Sequence, residues 1–122
     1  MITENYVSFE VAKLLKEKGF DTFKSYGWDE ELFDKKHPRN FSLGFDSKEH
    51  WISCPTHQMA MKWLREVHKV NIEIHYNRFG ENYKYLIIYK PEVLDDIRSL
   101  GVYFYYEEAV EAALKYCLEN LI

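Results

Sequence analysis

Between Pro55 and Tyr76 the hydrophobic period of the chain changes once, and that change limits the folds open to it. Met59, Ala60, Trp63, Leu64 and Val67 recur at helical spacing. From Val70 the period is two: Val70, Ile72, Ile74 and Tyr76 alternate with Asn71, Glu73, His75 and Asn77. A helical stripe followed at once by strict alternation predicts a helix that runs directly into a half-buried strand. Pro55 or Thr56 opens the helix, where a missing proline N–H costs nothing, and the helix ends near His68. Arg78 to Asn82 then reads as a hairpin loop, with Gly80 available for positive φ. The strand Tyr83 to Tyr89 returns antiparallel, bringing Tyr85 to Ile72. Tyr83, Tyr85, Ile87 and Tyr89 fall on one face and Lys84, Leu86 and Ile88 on the other, so apolar residues on both faces place this strand centrally.

Two further helices have clear signals. Ser8 is a good N-cap for Phe9–Lys18, whose stripe is Val7, Val11, Leu14 and Leu15. Gly19 can take the left-handed cap, letting Phe20 fold back on Leu15. In Glu107–Leu121 the stripe is Ala109, Val110, Ala113, Leu114, Cys117 and Leu121, and the first-turn Glu107 and Glu108 favour the positive end of the dipole. Weaker patterns predict short strands at Asp21–Tyr26, at Phe41-Leu43-Phe45 and at Trp51-Ile52, a short helix at Pro91–Leu100 stopped by Gly101, and an edge strand at Val102–Phe104. The segment 27–53 is irregular and aromatic-rich. Its Trp28, Phe33, Phe41, Phe45 and Trp51 argue that it packs against the body, since a structureless loop of that length is uncommon.

The expected architecture is a single α+β domain over 1–122. It is an antiparallel sheet of three to five strands with three main helices packed on one face. At 122 residues a chain buries roughly two thirds of its unfolded surface and folds without staples. Two cysteines, Cys54 and Cys117, are too few for a disulfide scaffold. Met1–Tyr6 carries no basic segment followed by an apolar run, and no stretch approaches the ~20 apolar residues of a membrane span. The expectation is a cytoplasmic protein with no membrane association. The net charge of −4 disfavours phosphate neutralisation as the main work. Aromatic residues reach 17% of the chain, with 10 Tyr. At about 150–250 Å² per ring, a small domain cannot hide them all.

Three blocks, Val7–Phe20, Pro55–His68 and Tyr106–Ile122, resemble those of a family of small uncharacterised proteins. The family is that of gut Bacteroides-type bacteria, often phage-like or mobile-element associated. The blocks cover about a third to a half of the chain. The resemblance implies a shared fold and a mobile-element origin, and it carries no activity, cofactor or catalytic residue. Where this chain has Tyr105, the relatives tend to have a small capping residue. Tyr cannot cap in that way, which leaves the start of the last helix less defined.

Chemistry-bearing residues are few. Cys54 precedes a helix N-terminus, which favours a thiolate, and His57 is near enough in sequence to act as its base. No oxyanion motif, second acid or Gly-rich turn accompanies them, and a buried Cys54 with a surface His57 is the plainer reading. Of His37, His50, His57, His68 and His75, the pair His57 and His68 returns to one helix face but stands ~16 Å apart, too far for one metal ion. No metal site or cofactor is expected. A local convergence of His50, Cys54 and His57 is the remaining metal-ligand arrangement. Asp29-Glu30-Glu31 and Asp95-Asp96 are adjacent runs, not an acid–base pair.

On the hairpin, Tyr76, Tyr83, Tyr85 and Tyr89 share a face, with Arg78, Lys84 and Lys90 near its edges. Rings interleaved with cations hold single-stranded nucleic acid, and cross-strand rings also simply stabilise sheets. Tyr103-Phe104-Tyr105-Tyr106 would present an aromatic edge able to pair with a second copy or a partner strand. The function expected is a non-catalytic protein-interaction or self-associating module, a homodimer being plausible. The alternatives are a nucleic-acid-associated factor using the Tyr-rich hairpin and a small thiol-dependent enzyme centred on Cys54 and His57.

Overall fold

The computed structural model describes residues 4–31, 37–89, 96–99 and 101–122. The class is α+β as expected; among the described residues there are three α-helices, and the strands divide between two antiparallel three-stranded sheets. Helix α1 (Phe9–Glu17) leads to strand β1 (Tyr26–Asp29), β2 (Arg39–Asn40), a 3-10 turn at Lys48–His50 and β3 (Trp51–Ser53). Helix α2 (His57–Val67) then runs into β4 (Val70–Asn77), followed by β5 (Asn82–Tyr89), β6 (Ile97–Arg98) and α3 (Tyr106–Asn120). The small sheet has the order β2-β1-β3 and the larger one β4-β5-β6.

The α2–β4 unit forms where the change of period places it. Thr56 caps α2 by accepting from Met59 N, and Lys69, at φ 58°, makes the one-residue turn into β4. The hairpin register pairs Ile72 with Ile87 and Ile74 with Tyr85, two residues from the Ile72–Tyr85 alignment expected but with the same faces. The loop is also built differently. Glu81 takes the positive φ, at 51°, while Asn77 Oδ1 accepts from Phe79 N and Asn82 Nδ2 donates to Gly80 O. Strand β5 is central, and Tyr85 and Ile87 on its inner face are buried.

In α1 the cap is as expected: Ser8 Oγ accepts from Val11 N at 3.2 Å. Gly19 has φ +100°, and Phe20 N bonds back to Leu15 O at 2.9 Å. Helix α3 follows Tyr105 as its N-cap, whose side chain makes no cap bond. This helix contacts α1, α2, β4 and β5, and its Ala113, Leu114, Cys117 and Leu118 are completely buried. Leu15, Ile52, Leu64, Ile87 and Leu114, drawn from all three helices and both sheets, share one core. Full burial of each such side chain contributes about 1.5–3 kcal/mol.

The weaker sequence patterns fare less well. Asp21–Lys24 is not a strand. Its backbone is held by side chains instead, with Trp51 Nε1 donating to Lys24 O and Lys24 N to Ser53 Oγ. Phe41-Leu43-Phe45 is a turn, with Leu43 and Phe45 87% and 85% exposed. The alternation there is cut by Gly44 at φ +88° and by a clamp across the turn. Arg39 grips Asp46 with its two terminal guanidinium nitrogens, at 2.8 and 2.5 Å, and Ser42 N donates to the same carboxylate at 2.8 Å. Phe41 does pack, edge-on to Phe23 and Trp51. Within Pro91–Leu100, Ile97 and Arg98 are strand, because β5 offers them an open edge; 91–95 and 100 lie outside the described residues, as do Phe33 and Lys90. Val102–Phe104 reduces to one bridge, Tyr103 to Tyr83.

Bidentate bonding to Arg39 is the main cause that holds the Asp46 carboxyl well below the usual carboxylate range. A carboxyl lowered in the folded state adds stability above its unfolded pKa, and loses it as pH falls toward the folded value. Asp46→Asn should therefore lower the urea midpoint at pH 7, and the gap to the parent should close progressively below about pH 4. Urea titrations at a series of pH values check this.

Candidate functional site

Residues 5–7 run antiparallel to 55–57, through Val7 N to Pro55 O at 3.1 Å and His57 N to Asn5 O at 2.8 Å. This sets the starts of α1 and α2 side by side, and both face α3. Glu111 of α3 reaches into the junction. Its Oε1 accepts from Ser8 N at 2.7 Å and its Oε2 from Ser8 Oγ at 3.0 Å. His57 Nε2 lies 3.0 Å from the same Oε1, so the pair selects the tautomer with its proton on Nε2. Asn5 Nδ2 donates to Glu107 Oε1 at 3.1 Å. An open cleft of about 420 Å³ lies over the junction, bordered by Tyr6, Tyr103, Glu107 and Glu108.

The arrangement is a clamp and not a catalytic triad. In a nucleophilic triad the imidazole stands between hydroxyl and carboxylate and takes the hydroxyl proton. Here the carboxylate stands between Ser8 and His57, so the imidazole does not reach Ser8 Oγ. The starts of α1 and α3 are served by carboxylates, Glu111 at Ser8 and Glu107 and Glu108 in the first turn of α3, which suits the positive ends of their dipoles; at α2 Glu111 meets the His57 ring.

His57 is buried, not a surface residue, and its Nε2 meets Glu111. Cys54 is 1% exposed and its Sγ donates to Val7 O at 3.3 Å. Burial first, and the Glu111 charge second, push its thiol up to about 12. The helix-start effect anticipated for Cys54 is outweighed by this desolvation, and a thiol shifted upward is a poor nucleophile near neutrality. His50 faces Glu31 at 3.5 Å, so His50, Cys54 and His57 do not converge. Among the described residues no group of three or more His, Cys, Asp or Glu is placed to hold a metal ion, and no helix is long and apolar enough to cross a membrane.

The tyrosine face is graded along the strand. Tyr85 is 8% exposed and stacks with Tyr103 at 6.3 Å between centroids. Tyr83 and Tyr89 are half-buried, and Tyr76 is exposed. Lys84 projects to the opposite face beside His75, and Arg78 lies over Phe79 at the hairpin tip. The six residues therefore do not form one exposed platform of rings and cations.

What forms instead is an aromatic end. Tyr76 and Tyr83 meet at 5.1 Å and Tyr83 meets Tyr106 edge-on at 5.9 Å. Two backbone bonds join Tyr83 and Tyr103, at 2.7 and 2.9 Å, and hold the segment that presents Phe104 and Tyr105, 74% and 67% exposed. Glu107 and Glu108 border it. Sequence reasoning found Tyr103–Tyr106 as a cluster but not its union with Tyr76 and Tyr83. It missed Glu111 altogether, because Glu111 sits 54 and 103 residues from its partners.

Two outcomes follow from this geometry. Glu111→Ala leaves the buried His57 ring without its acceptor and hands Ser8 to water, and should lower the unfolding free energy by about 1–3 kcal/mol in urea at pH 7. Cys54 and Cys117, both pushed up to about 12 by burial, should react with an aromatic disulfide reagent only when the protein is unfolded; a thiol reacting in the native protein faster than free cysteine at pH 7 would contradict the geometry. The chain shows no significant match to any protein-family model, curated protein or solved structure.

Proposed function

We propose that the protein is a non-catalytic interaction module that binds a protein partner through the aromatic end of the larger sheet. One observation carries the reading: Phe104 and Tyr105 are 74% and 67% exposed on a segment pinned by paired backbone bonds to the sheet. Large exposed rings on a rigid mount lose little conformational freedom on binding and supply much contact area. Isolated exposed apolar residues need no explanation, but a contiguous group of them marks an interaction surface. The bordering Glu107 and Glu108 define the partner's chemistry as apolar contacts ringed by basic groups, and they disfavour a phosphate backbone.

The test is site-specific photo-crosslinking from position 105 in a host lysate, with and without nuclease, against a control crosslinker at Lys13. The reading expects a defined protein that is captured from position 105 only, survives nuclease, and is lost when Phe104→Ser is added to the crosslinking chain with an unchanged circular dichroism spectrum. Capture abolished by nuclease would transfer the surface to nucleic acid, and capture unaffected by Phe104→Ser would remove this surface from the function.

A further inference from the structure

The larger sheet ends on β4, and among the described residues nothing pairs with its outer side. Tyr83 exchanges bonds with Tyr103, and Tyr85 O accepts from Ser99 N at 3.0 Å, so these residues point away from β4. Directions alternate along a strand. Lys84, Leu86 and Ile88 therefore face β4, where their partners are His75, Glu73 and Asn71. That leaves Ile72, Ile74 and Tyr76 with their N–H and C=O groups pointing outward.

Edges of this kind are usually guarded by proline, an edge lysine or a bulge. Strand β4, VNIEIHYN, has none of these, and its register with β5 is continuous over 8 residues. Its inner-face side chains also run out half-covered at the edge: Ile72 and Ile74 are half-buried and Tyr76 is 56% exposed, while Ile87 beside them is fully buried.

We infer that β4 pairs antiparallel with β4 of a second copy, in the two-fold register centred on Ile74, to make one continuous six-stranded sheet. This proposal concerns the outer edge of β4, which shares Tyr76 with the aromatic end but neither Phe104 nor Tyr105, and it does not depend on the reading of that end. Charge selects the register. A two-fold axis normal to the sheet must pass through a residue pair if both apolar faces are to lie on the same side. Centring on Glu73 sets two carboxylates face to face, and centring on His75 sets two imidazoles face to face. Centring on Ile74 sets Glu73 opposite His75 of the second copy, twice by symmetry. The two side chains already share the outer face and bond within one strand, at 3.3 Å, so donor and acceptor stand ready on that face. The same register puts Ile72 opposite Tyr76 of the second copy. The outward groups of Ile72, Ile74 and Tyr76 then make about six ladder bonds.

Sedimentation velocity of the full chain over about a thousandfold range of concentration tests this. The expected result is a monomer–dimer equilibrium. E73K should raise its dissociation constant about tenfold, since two cross-strand pairs are lost at once, and adding H75E to E73K should restore it. I74P, which removes an outward N–H not used within the monomer, should abolish the dimer with an unchanged circular dichroism spectrum. If I74P does not fold, the exposed charge exchange decides alone. A monomer at every concentration overturns the proposal. So does a dimer unmoved by E73K, or a loss that the double exchange does not rescue. A dimer lost instead with Phe104→Ser, Tyr105→Ser would also overturn it, and would identify the aromatic end as the self-association surface.

Discussion

The carboxylate of Glu111 is the point on which the helical layer depends. Ser8 N and Oγ and His57 Nε2 all lie within 3.0 Å of its two oxygens, joining α3 to the starts of α1 and α2. The starts of helices carry unpaired N–H groups and partial positive charge. Bringing helix starts together without a negative group between them would be unfavourable. Glu111 supplies that group, and Ser8 uses its one hydroxyl both to cap α1 and to donate to Glu111. The same half-covered carboxylate occupies the His57 ring and adds to burial, the larger cause, in raising the Cys54 thiol.

Around that joint, the exposure of the aromatic residues follows from how far α3 extends along the sheet. Each tyrosine of β5 points to the inner face by strand alternation. Tyr85 lies where α3 and Tyr103 cover it; Tyr83 and Tyr76 lie further toward the hairpin, where cover thins. The rings there pack on one another, Tyr76 on Tyr83 on Tyr106. The chain thus gains internal order at an end that still presents apolar surface. An acidic border beside that surface matches the net charge of the chain, and it is one reason protein contact is the stronger reading than contact with phosphates.

The small sheet rests on a different device. Gly27 is the residue at which β1 passes β3 most closely, since a Cβ there would stand 2.2 Å from Ile52 O. Of the aromatic residues described in 27–53, Trp28 and Trp51 are buried and Phe41 packs on Trp51, while Phe45 is exposed; the packing runs through short strands, a 3-10 turn and the Arg39–Asp46 clamp. Periodicity cannot announce such a structure, because its elements are two to four residues long and its turn is set by side-chain bonds.

By itself the sequence determined what is local. The three helices, the cap at Ser8, the abrupt passage from α2 to β4 and the central place of β5 all follow from period, capping chemistry and the two-faced apolar pattern. Those are interactions among residues near in the chain, where spacing translates directly into geometry. Tertiary structure decided the division of the strands into two sheets, the burial of His57 and the fate of each tyrosine. It also decided the role of Glu111, which as a sequence feature is one glutamate among the polar residues of an amphipathic helix. Its partners are set by how three helices pack, and no pattern within one helix encodes the position of another. For the same reason Cys54 and His57, adjacent enough in sequence to invite a catalytic reading, are turned to different partners by contacts with Val7 and Glu111.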